Sequence, residues 1–552
     1  MGSRQAMADS DGEADRSMTT PHLRLSGGAG AVHPVVLDRR IRDLALVGLA
    51  GLVPAVLALG LTVALPHTSL LVVLAAIAAI LAVVTLIVNS RLEVTVGLLA
   101  VYLGLLDGPV KLGIGRSEAT AAVRNVLILA ICLGAVLRLL ARREKVKLPP
   151  LSGWVLAFVA VVALMAFNPK TQGLLHVLGG FRQQLQWVPF FFFGYVLIRS
   201  KKRLRQLFII IGVIGLANGA VAAYQTSLSP AQLATWGPGY RALVQPTTVG
   251  KKGSIARTYS SEGQARVRPL GLGSDSGFSG GVGVIALPCC LALLATWRSR
   301  RRWVAAVLAL GALVAVATGL GRLQVIGAVL GVLAFAALAS LAGRKVSRAL
   351  GAMLIVVALA IPLGALFVSA VGGSTFKRYE SIAPGEAAST VPSHKSSAWE
   401  NIPKFLSSAP LGVGLGTVGA AGGFGGKITE LVEGHGVSAE TQYNLVADEL
   451  GGPGLLVWIA LTLYVIALVA TGMRGVADGE LAIMLAGAFA PFVALTLEGF
   501  SGPFITSTAS GPYFWLAVGM AAYWFAGPGR QRRGARVTRP VSHADPAIGV
   551  PA

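Results

Sequence analysis

The residue types in this chain best suited to chemistry are three arginines, a histidine–lysine pair, a glutamate and a second histidine. Arg182 lies in Gly180-Phe181-Arg182-Gln183-Gln184, where a connector enters an apolar run. Arg322 ends Thr318-Gly319-Leu320-Gly321-Arg322, a connector of almost no length between two apolar runs. An ionisable group at such a depth is costly and marks a functional position by default. Arg268 belongs to the segment 225–277, which carries Arg241, Lys251, Lys252, Arg257, Arg266 and Arg268 against only Glu262 and Asp275. Guanidinium forks match phosphate oxygens bidentately, so such a segment suits an anionic ligand, a diphosphate above all. His394 and Lys395 are placed to meet a phosphate, and Glu440 and His435 to act as general base toward a hydroxyl acceptor. Bland readings stand beside each of these. Arg182 can snorkel to anchor a helix end, the basic segment can touch lipid headgroups, and a lone loop histidine is usually solvated.

The elements that must position these residues are membrane helices. The composition is 54% hydrophobic and only 13% charged, with a mean hydropathy of +0.70; a soluble domain carries about 25% charge. About 14 apolar runs come near the ~20 residues needed to cross a bilayer: 44–65, 70–90, 92–107, 125–141, 151–168, 187–199, 206–225, 277–297, 303–320, 323–342, 349–371, 452–471, 481–499 and 510–526. The expected fold is an all-α polytopic membrane protein. Residues 1–37 read as a polar, disordered cytoplasmic tail, 38–526 as the transmembrane domain, and 527–552 as a basic cytoplasmic tail.

Basic residues cluster in alternate connectors, including Arg142–Lys147, Arg199–Arg205 and Arg298–Arg302. That is the positive-inside pattern, and it places both termini in the cytoplasm. Lys111, Arg116 and Arg124 break the pattern, as though their segment dips back into the protein. Two long loops, 225–277 and 371–453, then fall outside. The second is the longest polar interruption in the chain. In it, Ser397-Ala398-Trp399-Glu400 is a capping-box pattern, and Trp399, Ile402, Phe405 and Leu406 follow at helical spacing, which predicts a short amphipathic helix on the membrane face.

The net charge of +23 is accounted for by those connectors. No basic, aromatic-rich soluble module is present, so nucleic acid is not an expected partner. Cys132, Cys289 and Cys290 all lie inside apolar runs and read as packing residues.

The run Glu440-Thr441-Gln442-Tyr443 followed by Glu449-Leu450-Gly451-Gly452-Pro453-Gly454-Leu455 resembles the signature of the O-antigen ligase/O-antigen polymerase family. So do Pro410-Leu411-Gly412-Val413-Gly414-Leu415-Gly416 preceded by Trp399, the Thr318–Arg322 junction with Gly321 where Ser is usual, Phe181-Arg182, and Arg268-Pro269-Leu270-Gly271. The resemblance covers about Gly180 to Leu456. It departs at two places: Glu440 stands where the family has its loop histidine, and His394 or Lys395 stands where it has a loop arginine. The resemblance implies a GT-C-like fold with a large extracytoplasmic loop in a bacterial inner membrane. It implies transfer of glycan units from an undecaprenyl-diphosphate carrier to a hydroxyl on a glycan or lipid acceptor, with no metal cofactor. Arg182, Arg268, Arg322, His394 and Lys395 would grip the diphosphate, and Glu440 or His435 would serve as base. The competing reading is a lipid-linked oligosaccharide flippase or transporter, which should carry polar residues deep in several spans; the apolar runs hold almost none. A transferase using a polyprenyl-phosphate sugar would place acids in the first outer loop, which here is only Pro66-His67-Thr68-Ser69.

Overall fold

The computed structural model describes residues 84, 85, 87, 91–114, 118–141, 147–171, 173–244, 258–261, 264–343, 351, 379, 399–419 and 441–530, all within one compact unit spanning Ala82–Ala552. The described helices, in chain order, are α1 (Leu92–Val101), continued through a π-helical turn (Tyr102–Leu106) into α2 (Asp107–Ile114), then α3 (Glu118–Ala141), α4 (Ser152–Met165), α5 (Gly173–Leu185), α6 (Pro189–Leu197), α7 (Lys201–Ser227), α8 (Pro230–Ala234), α9 (Pro238–Val244), α10 (Phe278–Thr296), α11 (Arg300–Thr318) and α12 (Arg322–Leu341). They continue with α13 (399–408), α14 (Gln442–Met473), α15 (Gly479–Glu498) and α16 (Ser510–Ala521), which ends in a second π-helical turn (Ala522–Ala526). Strands β1 (Thr258–Ser261) and β2 (Gln264–Val267) pair antiparallel as a small hairpin.

Among the described residues, eight helical stretches are long and apolar enough to cross a membrane: Leu92–Ile114, Val123–Ala141, α7, α10, α11, α12, α14 and α15. The chain is a helical membrane protein. Of the 14 expected spans, 44–65, all of 349–371 but residue 351, and most of 70–90 lie outside the described residues. Two others differ in kind. Residues 187–199 form only the nine-residue α6, whose start is set by Pro189. Residues 92–107 belong to a longer stretch that runs on to Ile114 through the π turn.

Helix α10 is buried along almost its whole length and packs on α7, α11, α12 and α15. Small residues make this close packing possible, as expected where lipid supplies no hydrophobic drive between helices. A methyl on Gly283 would lie 2.6 Å from the Ala312 carbonyl oxygen, and one on Gly487 would lie 2.5 Å from the Ala292 methyl. Aromatic rings fill the space between α4, α14 and α16: Trp458 stacks on Phe514 at 5.0 Å, and Phe158 lies 5.5 Å from Trp458. Cys289 and Cys290 are buried and unoxidised in α10, as packing residues should be.

The described residues of the basic segment after α7 are folded rather than open. They form α8, α9 and the hairpin, then return to α10. The amphipathic helix expected after Ser397 appears as α13. Its apolar side faces protein: Trp399 lies 5.1 Å from Phe500 and 5.5 Å from Tyr443, and Ile402 is buried. Helix α14 begins at Gln442, ten residues before the span expected at 452–471, so the end of the long loop is helical.

Candidate functional site

The glycine-rich run Pro410–Gly416 is seated in a notch of α14. At Gly451 the helix takes φ 65°, ψ −164°, a break only glycine tolerates readily. Through this break the Val413 N–H donates to the Asp448 carbonyl at 2.7 Å, and the Gly452 N–H donates to the Pro410 carbonyl at 2.8 Å. A methyl on Gly412 would sit 2.8 Å from the Glu449 carbonyl oxygen. Asn168 donates to the Leu411 carbonyl at 3.1 Å, and Thr171 accepts from the Leu415 N–H at 3.0 Å.

Glu449 closes this junction. It is fully buried; Gln183 donates to one oxygen at 3.0 Å, Gln184 to the other at 2.7 Å, and the Val418 N–H adds a third bond at 3.4 Å. Three sequence motifs are therefore one structural unit: Arg182-Gln183-Gln184 on α5, the glycine-rich run, and Glu449-Leu450-Gly451 on α14. The glutamate of the third is a brace with its acceptor capacity occupied.

Arg182 sits on α5 beside a buried ionic cluster. Burial pulls its guanidinium below its ordinary value; Arg124 acts in the same direction and Asp107 opposes them. Within the cluster, Lys111 donates to Asp107 at 2.6 Å. Arg124 donates to Thr508 at 2.6 Å and to Gln186 at 3.2 Å, and its guanidinium lies 5.0 Å over the Trp187 ring. Lys111 and Arg124 are two of the three residues that broke the positive-inside pattern; the third, Arg116, lies outside the described residues. The first two are 8% and 6% exposed, so they do dip into the protein.

Arg268 precedes a segment held by two buried amides of α7. Gln225 accepts from the N–H groups of Leu270 and Gly271, both at 2.8 Å, and Asn218 accepts from the Leu272 N–H at 2.8 Å. Gly108 of α2 packs against Leu272 and Gly273, next to Asp275, whose charge acts on both Lys111 and Arg124. Contacts thus link the Arg182 and Arg268 segments through α2.

Arg322 is the first residue of α12. Leu320, buried at φ 49°, reverses the chain after α11. Gly321 supplies no side-chain cap, so the first turn of α12 has no side-chain acceptor at its N-cap. Gln324 folds over the start of α10, where a methyl on Gly280 would meet its Cγ at 2.7 Å. Glu498, the last residue of α15, rests its carboxylate on Gly327, about 7.5 Å along the axis from Arg322 at 1.5 Å per residue. Gln442, at the start of α14, accepts from the N–H groups of Phe504 and Ile505 at 3.1 and 3.0 Å, and its own N–H donates to the Gly499 carbonyl at 2.9 Å. Glu498 is 7% exposed. Its Oε1, Arg322 Nε, Gln324 Oε1 and Gln442 Nε2 are buried with no hydrogen-bond partner among the described residues. Buried polar atoms are nearly always satisfied, so four orphans at the meeting of α12, α14 and α15 outline a place for a polar guest.

Glu440, His435, His394 and Lys395 lie outside the described residues. Sequence reasoning did not single out Glu498 or Asp448. The signal for Glu498 was an acid closing an apolar run, directly before Gly499. Asp448 is buried beside Glu449, its carboxylate accepting no hydrogen bond among the described residues. No family model matches this chain, and no curated protein matches it.

Proposed function

We propose that the chain is a membrane glycosyltransferase that moves glycan units from a polyprenyl-diphosphate carrier, undecaprenyl diphosphate in a bacterial inner membrane, to a hydroxyl acceptor, as a polysaccharide polymerase or ligase. The observation that carries this reading is that Arg322, at an uncapped helix start, and Glu498, which rests on Gly327 about one and a half turns further along the same helix, both leave buried polar atoms without a partner among the described residues. A helix N-terminus with a guanidinium favours a phosphate. A carboxylate without a partner is available to take a proton.

In this reading the acceptor hydroxyl gives its proton to the carboxylate. Its oxygen attacks the anomeric carbon, the bond from that carbon to the diphosphate oxygen breaks, and the diphosphate leaves with the electron pair. Arg322, with Arg182 and Arg268 on the linked segments, offsets the charge that develops there. Glu498 takes the base role within the described residues. Glu440 and His435, with His394 and Lys395 toward the phosphates, complete the set that the family resemblance implies. An apolar groove of about 100 Å³, walled by Leu103, Ile211, Phe278 and Pro512, gives the start of a path for the lipid tail; its rim residue Thr508 is the one that binds Arg124.

The test is reconstitution of purified protein with a polyprenyl-diphosphate-linked repeat unit. Chain growth supports a polymerase; carrier release only when a separate lipid acceptor is added supports a ligase. Transfer of intact carrier across the bilayer with no new glycosidic bond overturns the proposal in favour of a flippase.

A further inference from the structure

Helices α7 and α11 both open on basic runs, and the structure treats the two runs oppositely. In α7, Ser200 caps the helix by accepting from the Arg203 N–H. Three of the four cations beside it find an acid, Lys202 being the exposed exception: Lys201 binds Asp478 at 2.8 Å, Arg205 binds Glu480 and Arg203 binds Glu93. In α11, Arg300, Arg301 and Arg302 form the first turn and Arg298 precedes it. Ser299 sits at φ 60°, ψ −147° and gives no side-chain cap. Among the described residues none of these four arginines has a carboxylate partner. Positive charge at a helix N-terminus opposes the helix dipole, so the arrangement is unfavourable as it stands.

The four arginines wall a cavity of about 1030 Å³ together with Thr296, Arg205 and Glu480. Glu480, the acid on this wall, is already held by Arg205 and Lys201. The cavity lies at the far end of α11 from Arg322, about 28 Å away for a 19-residue helix, so it is separate from the site described above.

We propose that this cavity binds the phosphate of an anionic lipid headgroup. The guanidinium groups supply charge-assisted hydrogen bonds, the open first turn of α11 supplies backbone N–H donors, and the position at the end of a membrane helix puts the cavity at headgroup depth. A phosphate there completes for α11 what Asp478, Glu480 and Glu93 complete for α7.

The experiment uses full-length protein in a neutral detergent, with thermal unfolding and retention in native mass spectrometry as readouts. Phosphatidylglycerol should raise the unfolding temperature and stay bound, whereas phosphatidylcholine should not. The combined variant Arg298→Gln/Arg301→Gln/Arg302→Gln should weaken phosphatidylglycerol binding by about tenfold or more, because several charged hydrogen bonds are lost. Lys202→Gln, on exposed α7 surface, should leave it unchanged. Should the combined variant not fold, Arg298→Gln alone, exposed and outside the helix, must still weaken binding. Inorganic phosphate stabilising as strongly as the lipid would keep the phosphate site but reassign it to a soluble anion. Equal effects of both lipids, or full binding by the variants, overturn the proposal and leave the arginines as orientation signals only.

Discussion

Glu449 and Glu498 are both buried glutamates near the same end of the bundle, and they are opposites. Glu449 accepts from two glutamine amides and a backbone N–H. Glu498 leaves its Oε1 without a hydrogen-bond partner among the described residues and rests on a glycine. A buried charge is tolerated when hydrogen bonds replace its water; one left bare is a liability unless something else comes to it. The difference separates a residue that holds the site together from one that is free to act, although a motif search finds the first and passes over the second.

The comparison can be broken at several points. The largest effect is expected for Glu498→Gln, which should slow glycan transfer by about 10²–10⁴ as the loss of a general base, with the unfolding temperature nearly unchanged. Activity measured on reconstituted protein decides it: full activity in this variant, with loss in Glu440→Gln, moves the base to the loop. Arg322→Ala should cost about 10²–10³ in transfer rate while membrane insertion persists, and unimpaired product formation would remove Arg322 from the site.

Glu449→Ala should reverse the pattern. It strands Gln184, removes one of the bonds from Gln183 and should lower stability by about 2–3 kcal/mol, visible as a lower unfolding temperature, whereas rate per folded molecule should fall far less than in Glu498→Gln. Gly451→Ala forces a methyl against the Pro410 carbonyl at a positive φ and should destabilise by about 1–3 kcal/mol, again by thermal unfolding.

The smallest effect concerns a third acid, near the surface. Burial raises the Asp478 carboxyl, but the bonds from Lys201 and from the Leu481 and Glu480 N–H groups outweigh it and hold the group below its ordinary value. The stability it contributes is present above the unfolded-state value of about 3.9 and is lost as pH falls through the lower folded-state value. Asp478→Asn should lower the unfolding temperature slightly at neutral pH, where that contribution is present, and converge on the parent below pH ~4, so its stability profile is flatter in acid.

Much of the junction was legible because its parts obey local rules. Gly412, Gly414 and Gly416 all take positive φ, and glycines at that spacing announce a chain that must turn tightly. Gly451 and Pro453 announced a break in a helix, although not that the helix begins ten residues earlier at Gln442. Lys111 and Arg124 were flagged by violating a topological rule, but their partners Asp107, Gln186 and Thr508 are far apart in sequence, and no local pattern joins them. Glu498 stayed hidden because one acid at the end of an apolar run looks like the first residue of a connector; its isolation is a tertiary fact.

The left-handed Leu320 has a mechanical corollary. Only three residues separate the last residue of α11 from Arg322, so no slack is stored between the two rods. A displacement of α11 along its axis at the arginine-lined end has little compliance in which to be absorbed before it reaches the Arg322 guanidinium, so the rod couples its two ends stiffly.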